Sequence, residues 1–73
     1  MAKPIFNEAI AVCLTEIHSR LSQATQIAKA AEACASAGGL SEAITISMAI
    51  EQLIYEAGRP HDAASLMSRL SRA

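Results

Sequence analysis

Apolar residues recur along the first half of the chain at Ile10, Leu14, Ile17, Leu21, Ala24, Ala28, Ala31 and Ala35, in alternating steps of four and three. That spacing predicts a helix with one continuous packing seam. Its first half is Ile and Leu, and its second half is Ala. Phe6, Cys13, Ile27 and Cys34 flank the seam, with Arg20 as the one interruption, so the apolar stripe is wide enough for more than one neighbour. Pro4 suits a first helical position, where no N–H is needed, and Gly38-Gly39 suits a helix end. The predicted helix covers residues 4–37, roughly 50 Å at 1.5 Å per residue. Helix propensity dips over His18–Thr25. The three-four spacing passes through that segment without a phase slip, so the helix is expected to continue.

A second helix is predicted over residues 40–57, starting beside Ser41. Ala43, Ile44, Ile46, Ile50, Leu53, Ile54 and Ala57, with Met48, cover more than half its circumference, while Thr45, Gln52 and Glu56 mark an outer face. Gly58 reads as its end. Pro60 then reads as the start of a third helix over residues 60–71, with Ala63, Leu66, Met67 and Leu70 as its stripe.

The two breaks share a pattern. Ala37-Gly38-Gly39-Leu40-Ser41-Glu42-Ala43 and Ala57-Gly58-Arg59-Pro60-His61-Asp62-Ala63 both read Ala-Gly, three variable residues, an acid and Ala, at an offset of twenty. Gly permits a left-handed cap, the acid faces the free N–H groups of the next helix, and Ala lets helices close tightly. This pattern resembles the turn between the two helices of a tetratricopeptide repeat. The resemblance covers these two short segments and implies antiparallel helical hairpins.

The expected fold is therefore all-α, with three helices in antiparallel hairpins and a single domain over residues 1–73. A chain of 73 residues is marginal without a staple or a partner. Sixteen of its apolar residues are Ala, and one Phe, one Tyr and no Trp leave no aromatic platform. Six basic and seven acidic residues set the net charge at −1, which gives no global attraction for nucleic acid or an anionic membrane. The longest uninterrupted apolar run, Ala9–Leu14, fits neither a signal peptide nor a membrane span. A cytoplasmic location is expected, with Cys13 and Cys34 reduced and packed as small apolar residues.

In a three-helix fold, the second helix covers the Ala-rich half of the first, and the third turns back toward Gly38. Phe6, Ile10, Cys13, Leu14, Ile17 and Leu21 are then left bare, at about 1.5–3 kcal/mol for each larger side chain. A second copy of the chain is the expected cover, giving a homodimeric bundle.

Candidate chemistry is sparse. His18 and His61 have no second ligand at helical spacing, carboxylates are not paired for acid–base work, and Gly38-Gly39 lacks the strand and further glycines of a phosphate loop. The expectation is a protein that is not an enzyme and needs no metal or cofactor. Tyr55, Arg59, Arg69 and Arg72 are the candidate partner-binding side chains. An alternative is a DNA-binding helix-turn-helix, in which Leu53, Ala57, Gly58, Ala64 and Met67 occupy motif-like positions and the Arg-bearing third helix meets the nucleic acid. By analogy of size and class, the main expectation is a small adaptor, anti-activator or inhibitor of the phage- or mobile-element-encoded kind, binding another protein as a homodimer.

Overall fold

The computed structural model describes the backbone of residues 2–72 and the side chains of residues 5–72. It contains two helices, not three: α1, Ala2–Ser36, and α2, Leu40–Arg72. They run antiparallel as one hairpin with principal extents of 57 × 13 × 12 Å.

α1 passes unbroken through the segment of low propensity. There the Thr25 hydroxyl donates to the Leu21 carbonyl at 3.0 Å, and Ser22 Oγ lies 3.4 Å from His18 Nε2. These local bonds occupy side chains that otherwise compete with the helix for backbone groups.

The turn is a Schellman cap. Gly39 N–H donates to the Cys34 carbonyl and Gly38 N–H to the Ala35 carbonyl, both at 3.0 Å. Gly38 takes a φ of 97°, which a side chain rarely tolerates. Gly39 is the first cap of α2, and its carbonyl accepts from Ala43 N–H at 2.8 Å. A Cβ added at Gly39 would stand 3.0 Å from both Cys34 Sγ and Glu42 Oε2. Glu42 sits in the first turn of α2, where the helix dipole favours an acid.

The second expected turn does not form. α2 continues through Gly58, Arg59 and Pro60, and among the described residues Gly38 is the one position with positive φ. The reason lies in the long-range pattern. Ala43, Ile46, Ile50, Leu53, Ala57, Pro60, Ala64, Met67 and Ser71 step by three and four without interruption, and all are buried or half-buried. A turn at Gly58 would break that seam. Pro inside a helix costs about 3 kcal/mol and Gly about 1 kcal/mol relative to Ala. Continuing the helix offsets this by laying Ala64 and Met67 along the first half of α1.

The facing column of α1 is Phe6, Ile10, Cys13, Ile17, Arg20, Ala24, Ile27, Ala31 and Cys34, again buried or half-buried. The expected seam therefore shifts. Ile10, Ile17, Ala24 and Ala31 belong to it, joined by the flanking residues, while Leu14, Leu21 and Ala28 stay exposed. The premise that Phe6, Ile10, Cys13 and Ile17 lack an intrachain cover falls with the third helix, because α2 returns along the whole of α1. Cys13 and Cys34 are free thiols.

Candidate interaction surface

Two helices cover only one side of each other, and the hairpin core is correspondingly thin. Among the described residues, the buried hydrophobic side chains are Ala24, Ala43, Ala57 and Ala64, and none is large. Eleven large apolar side chains are exposed, from Leu21 at 46% to Ile5 and Leu40 at 69%.

The polar contacts tell the two sides of the hairpin apart. Arg20 Nε lies 3.4 Å from Glu56 Oε1 across the helices, and its guanidinium also reaches Glu16 at 3.4 Å. A shallow groove beside this pair is lined by Gln23, Gln26 and Ile27 of α1 with Ala49, Gln52 and Leu53 of α2. Gln23 and Glu16 come one residue before the seam residues Ala24 and Ile17. Ala49 and Glu56 likewise precede Ile50 and Ala57. This side of the hairpin, over its central part, is therefore polar at its rim.

The residues that come one past the seam residues Cys13, Arg20, Ile27 and Cys34 lie on the opposite side, because seam neighbours of one kind share a side in an antiparallel pair. In α1 they are Leu14, Leu21, Ala28 and Ala35. In α2 they are Leu40, Ser47, Ile54 and His61, with Ile44 along the outer edge. Leu14, Leu21, Leu40, Ile44 and Ile54 are 56%, 46%, 69%, 64% and 57% exposed, so the middle of this face is bare and apolar, while its edge rows also carry the exposed His18, Glu32 and Glu51. Leu21 stands level with Ile54, since neighbouring Arg20 reaches neighbouring Glu56. A smaller apolar patch, Ile5, Val12, Leu66 and Leu70, occupies the polar side near the open end.

Of the residues singled out from sequence, Leu14 and Leu21 lie on the bare face, whereas Phe6, Ile10, Cys13 and Ile17 line the intrachain seam. Tyr55 is 60% exposed and carries the Arg59 guanidinium 5.8 Å from its ring centroid, a cation–π pair one helical turn apart. Arg69 and Arg72 occupy the last turn of α2, the favourable end for cations. Arg69 shares the outer phase of Met48 and Tyr55, whereas Arg72, one past the seam residue Ser71, has the phase of Ile44 and Gly58 on the edge of the face that holds Leu14 and Leu21. Leu40, Ile44 and Ile54 belong to that face; Ile44 and Ile54 were read from sequence as part of a helix buried on two sides, and Leu40 only as its start. Their membership follows only from the unbroken phase of α2.

The helix-turn-helix arrangement needs a turn at Gly58, where the backbone is helical. Among the described residues no group of three or more His, Cys, Asp or Glu side chains is placed to hold a metal ion, and no helix is long and apolar enough to cross a membrane.

The exposed area can be set against size. A compact folded monomer of 7.7 kDa exposes roughly 4300 Å², whereas this chain exposes 5352 Å². The excess, about 1000 Å², is of the order that each partner buries in a standard interface, ≈ 800 Å². The fold defines a class, the antiparallel two-helix hairpin. No protein-family model, curated protein or solved structure matches the chain.

Proposed function

We propose that this chain is a non-enzymatic protein-interaction module that works as a homodimer and binds another protein as an adaptor, anti-activator or inhibitor. The observation that carries this reading is the exposed area of 5352 Å², well above the roughly 4300 Å² of a compact monomer of this mass. Large aliphatic side chains on an unpartnered helix face mark association surfaces rather than reaction sites. The residue chemistry supports the same reading. The ion pairs that form, Arg20 with Glu16 and Glu56 and His61 with Asp62 3.8 Å apart, are solvent-exposed or half-exposed rather than enclosed in a cleft.

The test is solution mass by sedimentation equilibrium, from low to high micromolar. The expected species has twice the chain mass of 7.7 kDa, and its association is little affected by salt because the contact is apolar. A folded chain that stays monomeric through the high micromolar range would refute the homodimer. Steep weakening by salt would refute an apolar contact.

A further inference from the structure

We infer that the face bearing Leu21 and Ile54 is where a second copy of this chain docks, with the two hairpin turns at opposite ends of the assembly. This rests on the homodimer reading above and specifies its surface and geometry.

The area excess of about 1000 Å² per chain sets the scale, since it is of the order that one partner buries in a standard interface and is enough for one face of this hairpin to be covered. The alternation of side-chain size along the face says by what. In α1 the column runs Leu14, Leu21, Ala28, Ala35, two large residues and then two small. A twofold axis midway between Leu21 and Ala28, perpendicular to the helices, sets Leu21 over Ala28 of the other copy and Leu14 over Ala35. α2 follows the same axis to within about 3 Å, two residues of helix rise. Leu21 is level with Ile54 within the hairpin, so the axis falls midway between Ser47 and Ile54. It therefore sets Ile54 over Ser47 and Leu40 over His61. On the edge of the face, Ile44 meets Gly58.

Gly58 is exposed, and a Cβ built there would meet nothing within 4 Å in the single chain. Its lack of a side chain is thus unused inside the hairpin and leaves room for Ile44 of a second copy. Large meets small where Leu21 lies over Ala28, Leu14 over Ala35, Ile54 over Ser47 and Ile44 beside Gly58, as a self-complementary surface requires, while Leu40 over His61 pairs two large side chains. With the turns at the same end, Leu21 would instead face Ile54 and Ala28 would face Ser47, large on large and small on small at the centre, and only Leu40 over Ala35 would pair large with small. A different protein would have no reason to satisfy both columns with one axis.

The experiment combines sedimentation of point variants with crosslinking. Leu21→Glu and Ile54→Glu, both exposed in the hairpin, should keep helical circular dichroism and weaken dimerisation by at least about 100-fold, as a carboxylate is forced into an apolar contact. Val12→Glu, on the opposite patch, should leave the dimer intact. Thr25 lies one past Ala24, on the edge of the face and beside the proposed axis. In a Cys13→Ala/Cys34→Ala background, Thr25→Cys should be joined to its own copy by a short bis-maleimide, and Ala37→Cys in the turn should not.

A dimer that survives both Glu variants and breaks with Val12→Glu would overturn the face while leaving the homodimer standing. Crosslinking through Ala37→Cys instead of Thr25→Cys would overturn the arrangement alone. A wild-type chain that is folded and monomeric would overturn the homodimer itself. Gly58→Ala adds a check that does not charge the surface, since it should strengthen the isolated helix and yet weaken the dimer several-fold.

Discussion

Arg20 spans the hairpin: its Nε lies 3.4 Å from Glu56 Oε1 of α2, and its Nη2 lies 3.4 Å from Glu16 Oε2 of α1. It occupies a seam position between Ile17 and Ala24 and directs its charge to the polar side. The Arg20 side chain is 33% exposed and that of Glu56 39%, so the pair contributes at most about 1 kcal/mol. Its larger effect is on specificity, because a charge in the seam penalises any register that would bury it without Glu56.

Glu56→Arg should accordingly destabilise the chain by about 1 kcal/mol, as two cations meet where an ion pair stood. Urea denaturation at fixed protein concentration measures this, and much of the loss should disappear in 1 M salt. Arg20→Met should be neutral or slightly stabilising, since it fills the same seam position with an apolar side chain.

Pro60→Ala separates a continuous helix from a helix start. At a first helical position Pro is harmless, and its removal would gain nothing. Inside α2 its missing N–H leaves the Glu56 carbonyl without its usual donor, so replacement should stabilise by about 1–3 kcal/mol, less whatever seam contact the ring supplies. An unchanged urea midpoint would contradict the continuous helix.

Gly38→Ala should cost about 1 kcal/mol or more, because φ of 97° is open to glycine and strained for alanine. Gly38→Asn should cost less, since Asn tolerates left-handed backbone better than other side chains. The midpoint of thermal unfolding orders the two variants and the unaltered chain.

The two Ala-Gly segments explain how much of this fold can be read from sequence. Ala37-Gly38 and Ala57-Gly58 look alike over seven residues, yet one is a turn and the other is helix. Gly38 is followed by a second glycine that closes the cap on Cys34, whereas Gly58 is followed by Arg59, which stacks on Tyr55 from within the helix. Local punctuation favoured a break at both. The deciding information was the phase of Ala57, Pro60, Ala64 and Met67, which continues that of Ile46, Ile50 and Leu53 across the Pro. A long-range seam outweighed a local penalty.

The surface was legible in part for the same reason. The α1 stripe is wider than the contact with α2 uses, and Leu14 and Leu21, read as bare from sequence, are exposed in the hairpin. Which flank meets α2 could not be read from α1 alone. The seam takes in Arg20, a residue that looks out of place on an apolar face until Glu56 is set beside it. Leu40, Ile44 and Ile54 could be assigned to the outside only once α2 was known to be a single helix.

The turn at Gly38 and Gly39 also sets an order of events. Ala31 and Cys34 meet α2 after closing a loop of only a few residues, whereas Phe6 meets it across nearly the whole chain. Because closure entropy grows with the length of chain enclosed, pairing begins beside the glycines and travels outward, each seam layer shortening the search for the next. The molecule closes like a zip from its turn. It also opens from the other end, where Phe6, Ile10 and Met67 lie, so among hydrogen-bonded seam amides exchange should be faster there than at Ala31, Cys34 and Ile46 near the turn.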